Sequence, residues 1–280
     1  MHICRICGWS GDAPSITVKE MQFNTRQEFQ YFECGNCHCL QIESIPENLG
    51  SCYGDNYYSN NNPLRNSSNT QQITNPTRIL DVGCGAGYFL CQLAQAGYTS
   101  LDGCDPFIEK DIIYENGVHI YKREIHDMKG PYDGIYFNDS FEHVTDPHEV
   151  MDSIKRLLSP NGIARIKIPV YPNIAYDMFG ADWFQIDAPR HIILHSKQSM
   201  DLLAAKHGLS IIKRDYDSNA SQILSSYLYS VGIPLWEQTD ELVHKHFSKE
   251  SLLDIIESCK IANQNEYGDH AIFYLTHSSK

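Results

Sequence analysis

The chain has 280 residues, 42% of them hydrophobic, enough to bury a sizeable core as one large domain or as one ordinary domain with a small module. Its 35 acidic residues outnumber 22 Lys and Arg, giving a net charge of −13, and no basic run occurs, so broad attraction to a phosphate backbone is not expected and nucleic acid is a disfavoured partner. The start of the chain lacks the basic and apolar regions of a secretory signal, and no segment is apolar for the thickness of a bilayer; a cytoplasmic protein with no membrane span and with reduced thiols is expected.

Residues 1–58 are rich in cysteine and aromatics and carry two Cys-x-x-Cys pairs, Cys4 with Cys7 and Cys34 with Cys37. The stretch between the pairs is long enough for an antiparallel hairpin, and four thiolates arranged this way suit tetrahedral zinc in a ribbon-like module. So small a module has too little core to fold securely alone, so a structural Zn²⁺ would supply much of its stability. Cys39 stands close enough to Cys37 to substitute for it, with His38 between them, and ranks behind the four paired thiols. Residues 59–77 are polar and without apolar periodicity, and read as a linker.

From residue 78 onward, short apolar runs alternate with helix-like stretches. RILDVG reads as a buried strand, GYFLCQLAQAG as an amphipathic helix closed by Gly97, and TSLDGCDP as the next strand. VHIYKR, YDGIYFND and IARIKIPV follow as strands, with DPHEVMDSIKRLLSPNG a helix stopped by Pro-Asn-Gly. An aromatic-rich insertion occupies roughly 171–195. A helix near Lys197 to Lys206, a strand at LSIIKRDY, helices near Ser221 to Ser230 and Asp240 to Cys259, and a final strand at DHAIFYLTH complete the chain. Strand and helix alternate as a doubly wound, mostly parallel sheet requires; the expected fold is a Rossmann-like α/β domain over 78–280 with seven strands.

The turn after the first of these strands places Asp81 before Gly83, Gly85 and Gly87, where missing Cβ atoms let a ligand approach the backbone and the following helix N-terminus can receive a carboxylate. A dinucleotide fingerprint needs a glycine at Tyr88 or Leu90, so the pyrophosphate reading fails. The D-x-G-x-G-x-G pattern instead resembles the first motif of class I S-adenosylmethionine-dependent methyltransferases, and the resemblance extends over 78–280. It implies that Asp81 and the glycine turn hold the methionine portion of S-adenosylmethionine and that Asp105, ending the second strand, accepts hydrogen bonds from both ribose hydroxyls. The segment NDSFEHVTDP would run beneath the sulfonium, making Asn138 and Asp139 cofactor candidates. Ile125, His126 and Asp127 would lie by the adenine.

Methyl transfer from a sulfonium needs alignment of the two reactants and, for a hydroxyl nucleophile, removal of a proton. His143, after the cofactor strand, and His191, in the insertion, are both candidate general bases. Glu142 and Asp187 could orient such a histidine, Arg190 could fix an anionic substrate group, and Trp183 and Phe184 offer flat apolar surfaces. The segments DWFQ and PRHI are similar to those of methyltransferases acting on cell-surface sugars and small metabolites. A zinc module before this catalytic domain resembles the deoxysugar C-methyltransferases, in which a tyrosine-rich stretch reaches the substrate; CYGDNYYS occupies that place, with Tyr57 or Tyr58 acting beside the sugar. Members of that family are longer and carry a further C-terminal domain that these residues do not include.

The expected function is transfer of a methyl group to a small-molecule acceptor such as a nucleotide-linked sugar, with oxygen slightly favoured over carbon or nitrogen. An RNA methyltransferase with a zinc-ribbon grip is the first alternative; the balance of Arg5, Lys19 and Arg26 against seven acidic residues in 1–58 argues against it. A cofactor-binding interaction protein without catalysis is the second.

Overall fold

The computed structural model describes residues 1–53 and 77–278. In chain order the strands and helices are β1 (His2–Ile3), β2 (Ser10–Gly11), β3 (Ser15–Lys19), β4 (Glu28–Glu33), β5 (Leu40–Ile42), β6 (Arg78–Val82), α1 (Tyr88–Gln95), β7 (Ser100–Cys104), β8 (Ile112–Ile113), β9 (His119–Tyr121), β10 (Tyr132–Asn138), α2 (Pro147–Leu157), β11 (Leu158–Pro169), α3 (Ile174–Phe179), β12 (Ile193–Leu194), α4 (Lys197–Lys206), β13 (Leu209–Tyr216), α5 (Ala220–Ser230), α6 (Asp240–His246), α7 (Lys249–Gln264) and β14 (His270–His277). They fall into two compact units that do not follow chain order: Met1–Leu49 with Pro169–Leu202 and Arg214–Ile272, and Gly50–Ile168 with Leu203–Lys213 and Phe273–Lys280.

The second unit carries a sheet of order β13-β14-β11-β10-β6-β7-β9-β8. All seven expected strands are present. The eighth, β8, is a two-residue strand antiparallel to β9, too short to leave an apolar pattern in the sequence. β10, β6, β7 and β9 pair in parallel, as do β10 and β11. Parallel neighbours covered on both faces need apolar side chains on both, and β10 reads accordingly, with Tyr132, Ile135 and Phe137 at 1% exposure or less. α1 lays Leu90 and Cys91 against Ile79, Leu101, Val118 and Ile120 of the sheet region. The Asp146 side chain caps α2, accepting from the backbone N–H groups of His148 and Glu149. α2 stops at Leu157, and the Ser159–Gly162 stretch expected to end the helix belongs instead to β11, where the pairing with β10 shifts register between Tyr132 and Gly134.

In the first unit, β3 and β4 form the expected antiparallel hairpin between the cysteine pairs. Their sheet has the order β12-β5-β4-β3, so a strand of the insertion, β12, completes the sheet of the N-terminal segment. Tyr31, fully buried on β4, donates its hydroxyl to the His191 carbonyl at 2.9 Å. The single helix expected over Asp240 to Cys259 is two helices. Ser248 interrupts it, accepting from the Ser251 N–H as the N-cap of α7. Among the described residues no helix is long and apolar enough to cross a membrane.

Candidate functional site

The carboxyl end of β6 is built around three left-handed glycines, Gly83, Gly85 and Gly87, with φ of 69°, 52° and 80°. Only glycine adopts this conformation without strain, and close packing adds a second requirement at Gly83, where a Cβ would lie 2.6 Å from the Ser140 Cβ. Ser140 is held there by its hydroxyl, which donates to the Val82 carbonyl at 2.7 Å. Gly87 is the N-cap of α1 and supplies no side-chain cap, so the helix N-terminus keeps its first-turn N–H groups for an outside acceptor.

Asp105 follows the end of β7 and is 7% exposed. Its Oδ2 accepts from the Gly85 N–H at 2.8 Å and its Oδ1 from the Phe107 N–H at 2.8 Å. One acid thus shapes the glycine turn and the loop after β7 together. Each carboxylate oxygen retains a further lone pair, so two vicinal hydroxyls could also be bound.

Asp81, 3% exposed at the end of β6, accepts from Asn138 Nδ2 at 3.1 Å, and Asn138 Oδ1 accepts from Arg165 Nη1 at 2.8 Å. Burial pushes the Asp81 carboxyl up to about 7, aided by the neighbouring Asp105 and opposed by Asn138 and Arg165. Asp139 turns with φ of 54°, and its N–H is tied to the Lys167 carbonyl at 2.9 Å. The structure therefore brings Asp81, the glycines, Asp105, Asn138 and Asp139 to the carboxyl edge of β6, β7 and β10. Arg165 went unnoticed in the sequence because its link to Asp81 runs through Asn138 of the neighbouring strand. Ile125 is buried in a short helical turn, and the carbonyls of His126 and Met128 accept from Arg156.

His143 ends a helical turn after β10, half-buried. Its Nδ1 lies 3.2 Å from the Tyr53 hydroxyl, and the Tyr53 ring in turn stacks on Phe107 with centroids 5.2 Å apart. Tyr53 belongs to the tyrosine-rich stretch that drew attention in the sequence, but Tyr57 and Tyr58, singled out there, lie outside the described residues. Glu142, beside His143, is wholly buried.

The other candidate base, His191, belongs to the first unit and is 3% exposed. Its Nδ1 sits 2.6 Å from the Gln185 carbonyl, which fixes a proton on Nδ1 and leaves Nε2 as the basic nitrogen, 3.8 Å from Asp187. Arg190, whose guanidinium could fix an anionic substrate group, is buried and paired with acids. At 1% exposure it is ion-paired with Asp187 through Nε at 2.9 Å and with Glu20 through Nη2 at 3.0 Å. Trp183 likewise is core, 1% exposed, with Nε1 donating to Asp269 at 3.1 Å. Phe184 packs edge-on to Tyr229.

The two cysteine pairs form matching knuckles. In each, the residue after the second cysteine is left-handed, Gly8 at 71° and His38 at 57°, and its N–H returns to the carbonyl of the first cysteine, at 3.1 Å and 3.0 Å. The Sγ atoms of Cys4, Cys7, Cys34 and Cys37 all lie within 4.8 Å of one another. Backbone N–H groups aim at sulfur, from Ile6 to Cys4 and from Asn36 and Cys37 to Cys34, each at 3.4 Å. Four converging sulfurs with N–H donors fit a thiolate-bound divalent metal; the donor set is that of Zn²⁺.

A family model described as a methyltransferase domain matches residues 59–214, more than half of the chain. A ubiquinone biosynthesis O-methyltransferase from Haemophilus ducreyi is 34% identical over 100 residues, covering 31% of this chain and 42% of its own. One from Rickettsia canadensis is 33% identical over 143 residues, covering 47% and 53%. The chain spans about half the length of the curated relatives it matches. Among solved structures, phosphoethanolamine N-methyltransferase 2 from Haemonchus contortus, in complex with S-adenosyl-L-methionine, aligns at 19% identity and a TM-score of 0.45 over 74% of this chain and 50% of its own.

Proposed function

The chain belongs to the methyltransferase domain family, and we propose that it transfers a methyl group from S-adenosylmethionine to a hydroxyl of a small-molecule acceptor. The observation that carries this reading is the docking of Asp105 on the Gly85 amide. It puts a buried carboxylate, a glycine-rich turn and an uncapped helix N-terminus at one edge of the sheet. Asp81 and the turn of Gly83, Gly85 and Gly87 would hold the methionine portion, Asp105 the ribose, and Asn138 and Asp139 the segment beneath the sulfonium. When bound, the cofactor supplies an already activated methyl group.

The protein's own task is then to orient the acceptor and take its proton. His143 is the stronger base candidate within the unit that carries the glycine turn. In the tautomer whose Nδ1–H donates to the Tyr53 oxygen, 3.2 Å away, Nε2 carries the lone pair that receives the proton. His191 is the second candidate. Oxygen as the acceptor atom is supported by the O-methyltransferase names of the curated relatives. Nucleotide-linked sugars are the first acceptor class to screen, on the resemblance of DWFQ and PRHI to segments of methyltransferases acting on cell-surface sugars and small metabolites. Cys4, Cys7, Cys34 and Cys37 would hold a structural Zn²⁺.

Calorimetric titration with S-adenosylmethionine, for the native chain and for Asp105→Asn, tests the cofactor site. Micromolar binding by the native chain and its loss in the variant are expected. A folded, zinc-loaded native chain that takes up no cofactor would remove the enzymatic reading.

A further inference from the structure

Five cysteines, not four, converge in the N-terminal segment. Cys39 is fully buried, with its Sγ 3.8 Å from Cys4 Sγ and 3.6 Å from Cys37 Sγ, while Cys4 and Cys37 are themselves 3.6 Å apart. Four sulfurs around one zinc, with bonds of about 2.3 Å, stand about 3.8 Å apart along each tetrahedral edge. The triangle of Cys4, Cys37 and Cys39 therefore already has the dimensions of one face of a thiolate tetrahedron. On the other side Cys7 Sγ lies 3.6 Å from Cys34 Sγ, and Cys7 is the only one of the five sulfurs that is not buried.

Gln41 ties the fifth thiol to the site. Its side chain is wholly buried, and Nε2 donates to both Cys4 Sγ and Cys39 Sγ at 3.2 Å. Gln41 Oε1 accepts from the Arg5 backbone N–H at 3.0 Å and from Arg5 Nη1 at 3.2 Å, which prevents the amide from turning its oxygen toward the sulfurs. A fixed N–H pair shared between two sulfurs stabilises both as thiolates and keeps both available to a metal.

We propose that Cys39 is a reserve metal ligand. Cys4, Cys34 and Cys37 form a common face, and Cys7 and Cys39 are alternative fourth ligands, one toward solvent and one in the core. Loss of the Cys7 sulfur, by substitution or by oxidation with a peroxide, leaves a complete set of four thiolates. The proposal rests on the zinc reading above and adds to it a ligand that can be exchanged without releasing the ion.

The full chain is loaded with Co²⁺ or Zn²⁺ under reducing, anaerobic conditions as the native protein, Cys7→Ser, Cys34→Ser and Cys7→Ser/Cys39→Ser. The readouts are thiolate-to-cobalt charge-transfer intensity per ion and zinc retained against a chelator. Cys7→Ser should keep a four-thiolate spectrum and hold zinc within about tenfold of the native chain, because one thiolate replaces another. Cys34→Ser and the double variant should fall to three thiolates and hold zinc on the order of a hundredfold less tightly, since Cys7 and Cys39 serve the same position and cannot replace Cys34, and the double variant has lost both. A three-thiolate Cys7→Ser that releases zinc as readily as Cys34→Ser would overturn the reserve role while leaving the zinc site standing. A native chain that binds neither ion would remove both.

Discussion

Asn138 Nδ2 donates to Asp81 Oδ1 at 3.1 Å, and this bond, backed by Arg165 on the far side of Asn138, opposes the burial that lifts the Asp81 carboxyl to about 7. The ordinary aspartate value is 3.8, so between roughly pH 4 and pH 7 the folded chain holds a proton here that the unfolded chain has lost. Stability should therefore fall as pH rises through that window and level off above it. Asp81→Asn keeps an acceptor for Asn138 and removes the ionisation. It should melt higher than the native chain at pH 8, by an amount corresponding to up to about 4 kcal/mol, and match it near pH 4. Cofactor affinity should be lost at the same time. Thermal melts of the two chains across this range check the claim; parallel pH curves would refute it.

Gly83→Ala combines two costs, a left-handed backbone worth about 1–2 kcal/mol and a Cβ placed 2.6 Å from the Ser140 Cβ. Ser140→Gly should destabilise by itself, since the Ser140 hydroxyl bond to Val82 is lost. In the Gly83→Ala background the same change should restore stability, because it clears the overlap. Denaturant unfolding of the four chains gives the coupling directly; additive effects would show that the overlap is not what demands glycine.

The Tyr53 and His143 pair should separate binding from turnover. His143→Gln is expected to lower turnover by about 10²–10⁴-fold with cofactor affinity preserved, as loss of a general base does. Tyr53→Phe should cost less and displace the pH profile of turnover, since it removes the hydroxyl that faces Nδ1. Once an acceptor is in hand, an unaltered rate in His143→Gln would transfer the role of base to His191.

Arg190 binds two acids inside the core of its unit, and removing it leaves both without their cation. Glu20 meets a burial that would raise its carboxyl, but the N–H groups of Phe23 and Thr25, with Arg190, bring it below the ordinary carboxylate value. Arg190→Met should destabilise by about 3–5 kcal/mol at pH 7. A depressed carboxyl loses its stabilising contribution as pH falls through its folded value, so the gap between native and variant should narrow under acid conditions. An Arg190→Met chain as stable as the native one at pH 7, with only substrate affinity changed, would return Arg190 to the role its sequence position first suggested.

Much of the catalytic sheet was written in local pattern. The seven strands from RILDV to HAIFYLTH each carry a short apolar run bounded by turn residues, and the glycines after Asp81 announce a turn that side chains would block. Burial and backbone conformation are local demands, and residue type reveals them directly. The cysteine knuckles belong to the same class, because a Cys-x-x-Cys pair followed by a residue able to turn left-handed forms its loop from its own backbone bonds.

What tertiary structure decided are the pairings between residues distant in sequence. No periodicity in the insertion indicates that Ile193 and Leu194 would complete the sheet of the N-terminal segment, since a two-residue strand is specified by the edge it meets. Arg190 reads as a substrate clamp until Glu20, 170 residues away, is found against it. Arg165 acquires a role only through Asn138, and Cys39, legible in the sequence as a substitute for Cys37, meets Cys4 and Gln41 only through the fold of the opposite knuckle. The chain by itself determined the seven longer strands of the large sheet and the glycine turn after Asp81, because backbone sterics and burial act on neighbouring residues. Which charge meets which, and how a fifth sulfur joins the four of the Cys-x-x-Cys pairs, depended on packing that brings distant residues within a few ångströms.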